Sequence, residues 1–313
     1  MKFKFVPIDL IQRFDTHMHS VQHGPIEMKK FNLKNITELI DMCAKKGINT
    51  ICLTEHIPLP LSRFDPTPNK DCAIEKERWI NILTNKRIEI KKYAQKKRVS
   101  IAIGGEYDFF PKYKRFYNAI DQLIKPEIKV LGLHFVDNIA IVPNNEGIDC
   151  YNEKITIKTE KQFCFDYSEK AFQFAVNQKG VKKIIYRYFS LLREAIQSQS
   201  YDIVAHIDLI NKYNQNNKYF IEDESYRKSL TQVLPLMQKK QLLLEVNLGG
   251  IKATGRLVPR DWIIKEAIKL NIPITIGSDI HGVNEISNEV WKFVISNLKK
   301  IGIKTIAVPI IIN

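Results

Sequence analysis

Short apolar runs alternate with longer amphipathic segments along the whole chain, and the runs end on polar residues of a restricted kind. Residues 37–47 carry apolar positions at helical spacing and close on Gly47, a common helix C-terminal signal. Residues 49–54 (NTICLT) predict a strand ending in Glu55-His56. A loop with Pro58, Pro60, Pro66 and Pro68 then leads to a long charged helix over about 74–97. Strands follow at 99–103, running into Gly104-Gly105-Glu106, and at 130–133, running into His134. The segment 136–167 has little periodicity, and a loop of that length is commonly a lid or substrate loop. Helical pattern resumes over 168–197 with a break near Gly180, and strand 203–205 ends at His206-Ile207-Asp208. Helix 226–240, strand 241–246 before Asn247-Leu248-Gly249-Gly250, helix 260–270 and strand 272–276 before Gly277-Ser278-Asp279-Ile280-His281 come next. Helix 286–300 and a closing strand over 304–308 finish the pattern.

About seven strands in this alternation predict a parallel α/β barrel. No repeat of fixed period, low-complexity tract or linker interrupts it, so residues 1–313 are expected to form one domain. That length is ordinary for such a barrel.

Composition changes this picture little. Forty-eight Lys and Arg against 34 Asp and Glu give a formal charge of +14. The lysines lie in scattered pairs such as Lys96-Lys97 and Lys239-Lys240, in a chain also rich in Ile and Asn, and form no basic arm or stripe. Nucleic acid is therefore not the expected partner, whereas steering of a small anionic substrate is a reasonable use of the surplus. The five cysteines, Cys43, Cys52, Cys72, Cys150 and Cys164, show neither a disulfide framework nor a Cys-x-x-Cys zinc spacing. With no signal-like apolar run and no stretch near the roughly 18 apolar residues of a membrane span, a cytoplasmic location is expected.

Candidate chemistry gathers at the strand ends. Asp15-Thr16-His17-Met18-His19 places two imidazoles one residue apart on an extended segment, where alternate side chains share a face. Of the seven histidines, His17, His19, His56, His134, His206 and His281 fall at predicted strand ends and His23 follows the first. In an α/β barrel those ends converge on the face where active sites are built, which argues for a shared metal site. Asp15, Glu55, Glu106, Asp208 and Asp279 share the phase. Glu106, after two glycines, and Asp279, two before His281, are the favoured carboxylate ligands. Asp15, Glu55 and Asp208 are expected to support histidines from behind.

The runs DTHMHS with His23-Gly24, LTEHIPLP, GGEYDFF, LGLHFV, VAHIDLI, EVNLGG and GSDIH resemble the PHP superfamily, in particular its histidinol-phosphate phosphatases, over about residues 14–285. The resemblance implies a distorted seven-stranded TIM-like barrel with three divalent ions, for which imidazole and carboxylate donors suit zinc, manganese or iron. It implies one ion at His17, His19, Glu106 and Asp279, a second at Glu106, His134 and His206, and a third at His23, His56 and His281. It further implies hydrolysis of a small phosphate monoester, L-histidinol phosphate, in histidine biosynthesis. A hydroxide bridging the Glu106-linked ions would attack, with Asp279 as proton acceptor. Arg187 and Arg256 are candidate phosphate contacts, since arginine offers a forked donor to oxyanions. The alternatives are a PHP phosphoesterase for another small phosphate or nucleotide, and a PHP-like binding module without catalysis.

Overall fold

A computed structural model of the chain describes residues 1–21, 31–61, 76–137, 148–149, 154–155, 162–283 and 287–311. The strands in chain order are β1 (Lys2–Pro7), β2 (Phe14–His19), β3 (Thr50–Leu53), β4 (Ser100–Ile103), β5 (Gly105–Tyr107), β6 (Lys129–Leu131), β7 (Phe135–Asp137), β8 (Ile148–Asp149), β9 (Lys154–Ile155), β10 (Gln162–Cys164), β11 (Ile203–Val204), β12 (Leu243–Asn247), β13 (Ile274–Gly277), β14 (Ile280–His281) and β15 (Thr305–Ile310).

Two parallel sheets form the centre, one in the order β13-β12-β11-β6-β5 and the other β14-β2-β3-β4. Hydrogen bonds connect them at both edges. At one, Gly104 alone separates β4 from β5, and bonds from Gly104 N to Leu53 O and from Glu106 N to Glu55 O carry the pairing past it. At the other, Asp279 N donates to His17 O and Thr16 Oγ1 to Ile276 O. With helices packed outside, this is an α/β architecture built on parallel sheets, consistent with the distorted TIM-like barrel that the sequence predicts.

The period of two along each strand sorts the side chains. Ile51, Leu53, Ile101, Ile103, Leu131, Val204, Leu244, Val246, Ile274 and Ile276 join the main apolar core under the helices. Their alternates Cys52, Ala102, Val130, Ile203, Ala205 and Leu243 form a separate small cluster with Ala307, Met1 and Phe3. Extending those inner rows two residues at a time reaches His56, Glu106, His134, Asn247 and Asp279, while β2 contributes Asp15, His17 and His19. Small apolar residues thus fill one end of the inner face and ligand-type residues the other. His206 alone stands out of phase, directly after the inner residue Ala205, and its φ of +28° turns the main chain there.

Several expectations shift. Helix 37–47 begins earlier, at Leu33, because Asn32 and Asn35 form a reciprocal cap. Residues 226–240 form two helices, Glu224–Thr231 and Leu234–Lys239, since Pro235 lacks the N–H that would continue the first. The described part of 74–97 is interrupted by a π turn, Asn81–Asn85, that buries the adjacent Ile82 and Leu83. The break at Gly180 is present, with φ +79° between Glu169–Lys179 and Val181–Ser198. The closing strand β15 does not join the parallel sheets but pairs antiparallel with β1. Most of 136–167 lies outside the described residues, but its ends pair antiparallel as β7 and β10. The sequence reading also lacked helix Lys114–Ile124, whose Tyr117, Ile120 and Ile124 are buried, and helix Leu248–Thr254.

Gly104 is where the chain passes from one sheet to the other, and a Cβ there would lie 1.8 Å from Ile128 O, a main-chain atom that cannot step aside. Gly104→Ala is therefore expected to cost about 3 kcal/mol. Gly47→Ala, strained at φ +69° but with nothing within 4 Å, should cost only about 1 kcal/mol. Urea unfolding of the two variants checks the order, and equal losses would refute the steric account.

Candidate metal centre

Strand alternation aims His17 and His19 of β2 to one point, with their Nε2 atoms 3.1 Å apart. Glu106 of β5, 1% exposed, stands against both, its Oε2 at 3.3 Å from His17 Nε2 and 3.4 Å from His19 Nε2. Asp279 Oδ1 completes the group at 3.7 and 3.5 Å from the same two nitrogens. Donors placed about 2.0–2.2 Å from a tetrahedral ion stand roughly 3.3–3.6 Å apart, so these separations are those of a coordination shell. The other oxygen of Glu106 faces a second group, with Oε1 at 3.0 Å from His206 Nε2 and 3.6 Å from His134 Nε2. A third set of donors gathers from His19, His56 and His281, the last two 3.5 Å apart through their Nε2 atoms. His23, expected in that third group, lies outside the described residues.

The donors also fit ions by what they leave unpaired. Glu106 Oε2, with three imidazole nitrogens within 3.4 Å, makes no well-directed hydrogen bond, and His19 Nδ1 and His206 Nδ1 are likewise buried without a hydrogen-bond partner among the described residues. Gly132 makes the room, since a Cβ there would lie 1.8 Å from Glu106 Oε1.

Charge is balanced within the cluster. Burial would raise the Glu106 carboxyl, but His56, His17 and His134 hold it well below the usual carboxylate range. Burial would likewise lower the His17 imidazole, yet Glu245, Glu106 and Asp279 hold it well above its ordinary value. His134 is pushed up to about 10, as Asp108 and Glu106 outweigh its burial. The raised imidazoles of His17 and His134 thus offset the Glu106 charge, a role that ions would take over with release of protons.

Supporting contacts differ from those expected. Asp15 binds main chain, accepting from His17 N at 3.0 Å and Ser278 N at 2.9 Å, and burial pushes its carboxyl up to about 7. Glu55 accepts from Ser20 N at 2.6 Å and stands 3.8 Å from His19 Nδ1. Asp208 is buried and accepts from Arg260 N at 3.3 Å, with no hydrogen bond to a histidine among the described residues. The carboxylates that do meet ring nitrogens are Glu245, 2.7 Å from His17 Nδ1, and Asp108, 3.2 Å from His134 Nδ1. Glu245 was legible as a charged residue amid the apolar run of a central strand, and Asp108 as an inner-row residue two beyond Glu106. Of the candidate arginines, Arg187 pairs with Asp137 and Glu194, away from the donors. Arg256, half-buried, lies in the field of Asp208, Glu222 and Arg260.

Among the described residues no helix is long and apolar enough to cross a membrane. Residues 15–248 match the family model of the PHP domain. Among curated proteins, a histidinol-phosphatase of Bacillus subtilis is 25% identical over 88% of this chain and 96% of its own. A probable histidinol-phosphatase of Deinococcus radiodurans is 23% identical over 77% of each. Among solved structures, a histidinol phosphatase of Listeria monocytogenes matches 90% of this chain and all of its own, with a TM-score of 0.71 and 19% identity. The histidinol phosphate phosphatase of Lactococcus lactis, solved with zinc, L-histidinol and phosphate, matches 93% and 94% with a TM-score of 0.62 and 17% identity. The donor-lined strand ends and the family match over most of the length lead to one conclusion: the chain belongs to the PHP domain family.

Proposed function

We propose that the protein is a metal-dependent phosphatase that hydrolyses L-histidinol phosphate to L-histidinol and phosphate. The observation that carries this reading is the two-sided Glu106 carboxylate, with one oxygen in each of two donor groups. The names of the curated relatives supply the substrate, the Bacillus subtilis one being matched over 96% of its length. The proposal extends to one domain over 1–313, a distorted seven-stranded barrel, three divalent ions with His23 completing the third site, and a cytoplasmic place in histidine biosynthesis.

When bound, divalent ions supply positive charge for the phosphoryl oxygens and bring the pKa of coordinated water towards neutrality. His17, His19, Glu106 and Asp279 would hold one ion, Glu106, His134 and His206 the second, and His23, His56 and His281 the third. Asp279 is the proton acceptor, because its side chain is 24% exposed where Glu106 is closed to solvent, and Asn247 Nδ2 donates to its Oδ2 at 3.2 Å. Arg256 is the candidate cation for the phosphate. Arg187 would have to exchange Asp137 and Glu194 for that role, so it is the weaker of the two.

Steady-state kinetics of metal-loaded protein on histidinol phosphate, beside sugar, amino-alcohol and nucleotide phosphates, tests the substrate. A preference of at least tenfold in kcat/KM is expected, about 1.4 kcal/mol of transition-state discrimination, and a smaller one overturns the named substrate. Glu106→Gln should lose both Glu106-linked ions by elemental analysis and with them nearly all activity, and full activity would remove the polynuclear reading. Gly132→Ala displaces the Glu106 carboxylate without removing it, and a fall in kcat of about 100-fold is expected from such a shift of roughly 1 Å.

A further inference from the structure

Glu245 is a fully buried carboxylate in the middle of a central strand, and its described partners include no lysine or arginine. Burying such a charge is costly unless every lone pair is used. Here Oε1 meets His17 Nδ1 at 2.7 Å, while Oε2 accepts from His206 N and from Asn247 Nδ2, both at 3.1 Å. Asn247 Nδ2 also reaches Asp279 Oδ2 at 3.2 Å. A Cβ on Gly277 would lie 2.1 Å from Glu245 Oε1, so the neighbouring strand is kept bare to admit this carboxylate. His206 and Asp279 both have positive φ, +28° and +52°, a conformation that non-glycine residues rarely keep unless the surroundings hold it.

These contacts share a logic. His17 and Asp279 belong to one donor group and His206 to the other. A carboxylate oxygen only accepts, so Glu245 keeps the proton of His17 on Nδ1 and frees Nε2 to face Glu106. Its second oxygen anchors the turned main chain from which His206 projects. We propose that Glu245, with Asn247, is a positioning pair that sets the two Glu106-linked metal sites together, so that their affinities rise and fall as a unit. Asp108, whose hydrogen bonds among the described residues go to His134, supports one of the two Glu106-linked sites and not the other. The inference rests on the metal-centre reading above but not on the substrate.

The test is cobalt(II) titration of metal-stripped protein, followed by the visible absorption of the bound ion and by elemental analysis, with no substrate present. Glu245→Leu keeps an apolar stem in the buried site and removes all three contacts, and both Glu106-linked sites are expected to weaken tenfold or more in step. Asp108→Asn should weaken one of them only. Asn247→Ser retains a residue that can cap helix Leu248–Thr254, as Asn247 Oδ1 does for Gly250 N, but loses the amide donor, and should weaken both. It decides the matter if the leucine variant does not fold. Unchanged cobalt affinities in a folded variant, with only the metal-free melting temperature lowered, would make the pair merely structural and overturn the proposal, as would loss at a single site. A wild type that binds no cobalt would instead remove the metal-centre reading, and a wild type that binds cobalt without cleaving histidinol phosphate would remove only the substrate.

Discussion

One buried carboxylate organises this protein. Glu106 sits in the middle of the short strand β5, which the chain enters on passing from one sheet to the other, and imidazoles from four other strand ends close around it. A charge so placed is tolerable only when opposite charge surrounds it, whether as protonated histidine or as ions. The glycines follow from this. Gly104 lets the strand cross between sheets beside a carbonyl, Gly132 clears the space that the carboxylate fills, and Gly277 does the same for Glu245.

The inner face is accordingly divided along its length. Cys52, Ala102, Ala205 and Ala307 keep one end narrow enough to pack dry, with Met1 and Phe3 of the terminal ribbon against it. Four residues further along the rows of Cys52, Ala102 and Val130, at His56, Glu106 and His134, apolar side chains give way to nitrogen and oxygen donors. Period-two geometry delivers both halves at no extra cost, since one alternation that hides the apolar side of each strand also aligns the donors at its end.

Much of this could be read from the residues. His17, His19, Glu106, His134, Asp279 and His281 follow short apolar runs closely, and the chain brings them together where that phase indicates. His206 was found by position, but its one-residue offset and the turned main chain that corrects it were invisible, because φ is not written in composition. Asp15 does not support a ring nitrogen but binds main chain, since neighbours on a strand face opposite ways, whereas Glu55 does face one, standing 3.8 Å from His19 Nδ1. The closer partners, Glu245 and Asp108, lie far in sequence from the histidines they meet and depend on three-dimensional register. Strand β1 is hard to read because none of its residues is fully buried, Phe3 and Val6 being only partly covered, and its partner lies at the far end of the chain.

The meeting of β2 with β13 has a consequence for how the molecule comes into being. The bond from Thr16 to Ile276 spans 260 residues, and that from His56 to His281 spans 225. Contacts of such separation form late, after the loop-closure entropy of the intervening chain has been overcome. The donors therefore have no common address in a nascent or half-folded chain. The full donor set exists only once the first and last parallel strands have found each other.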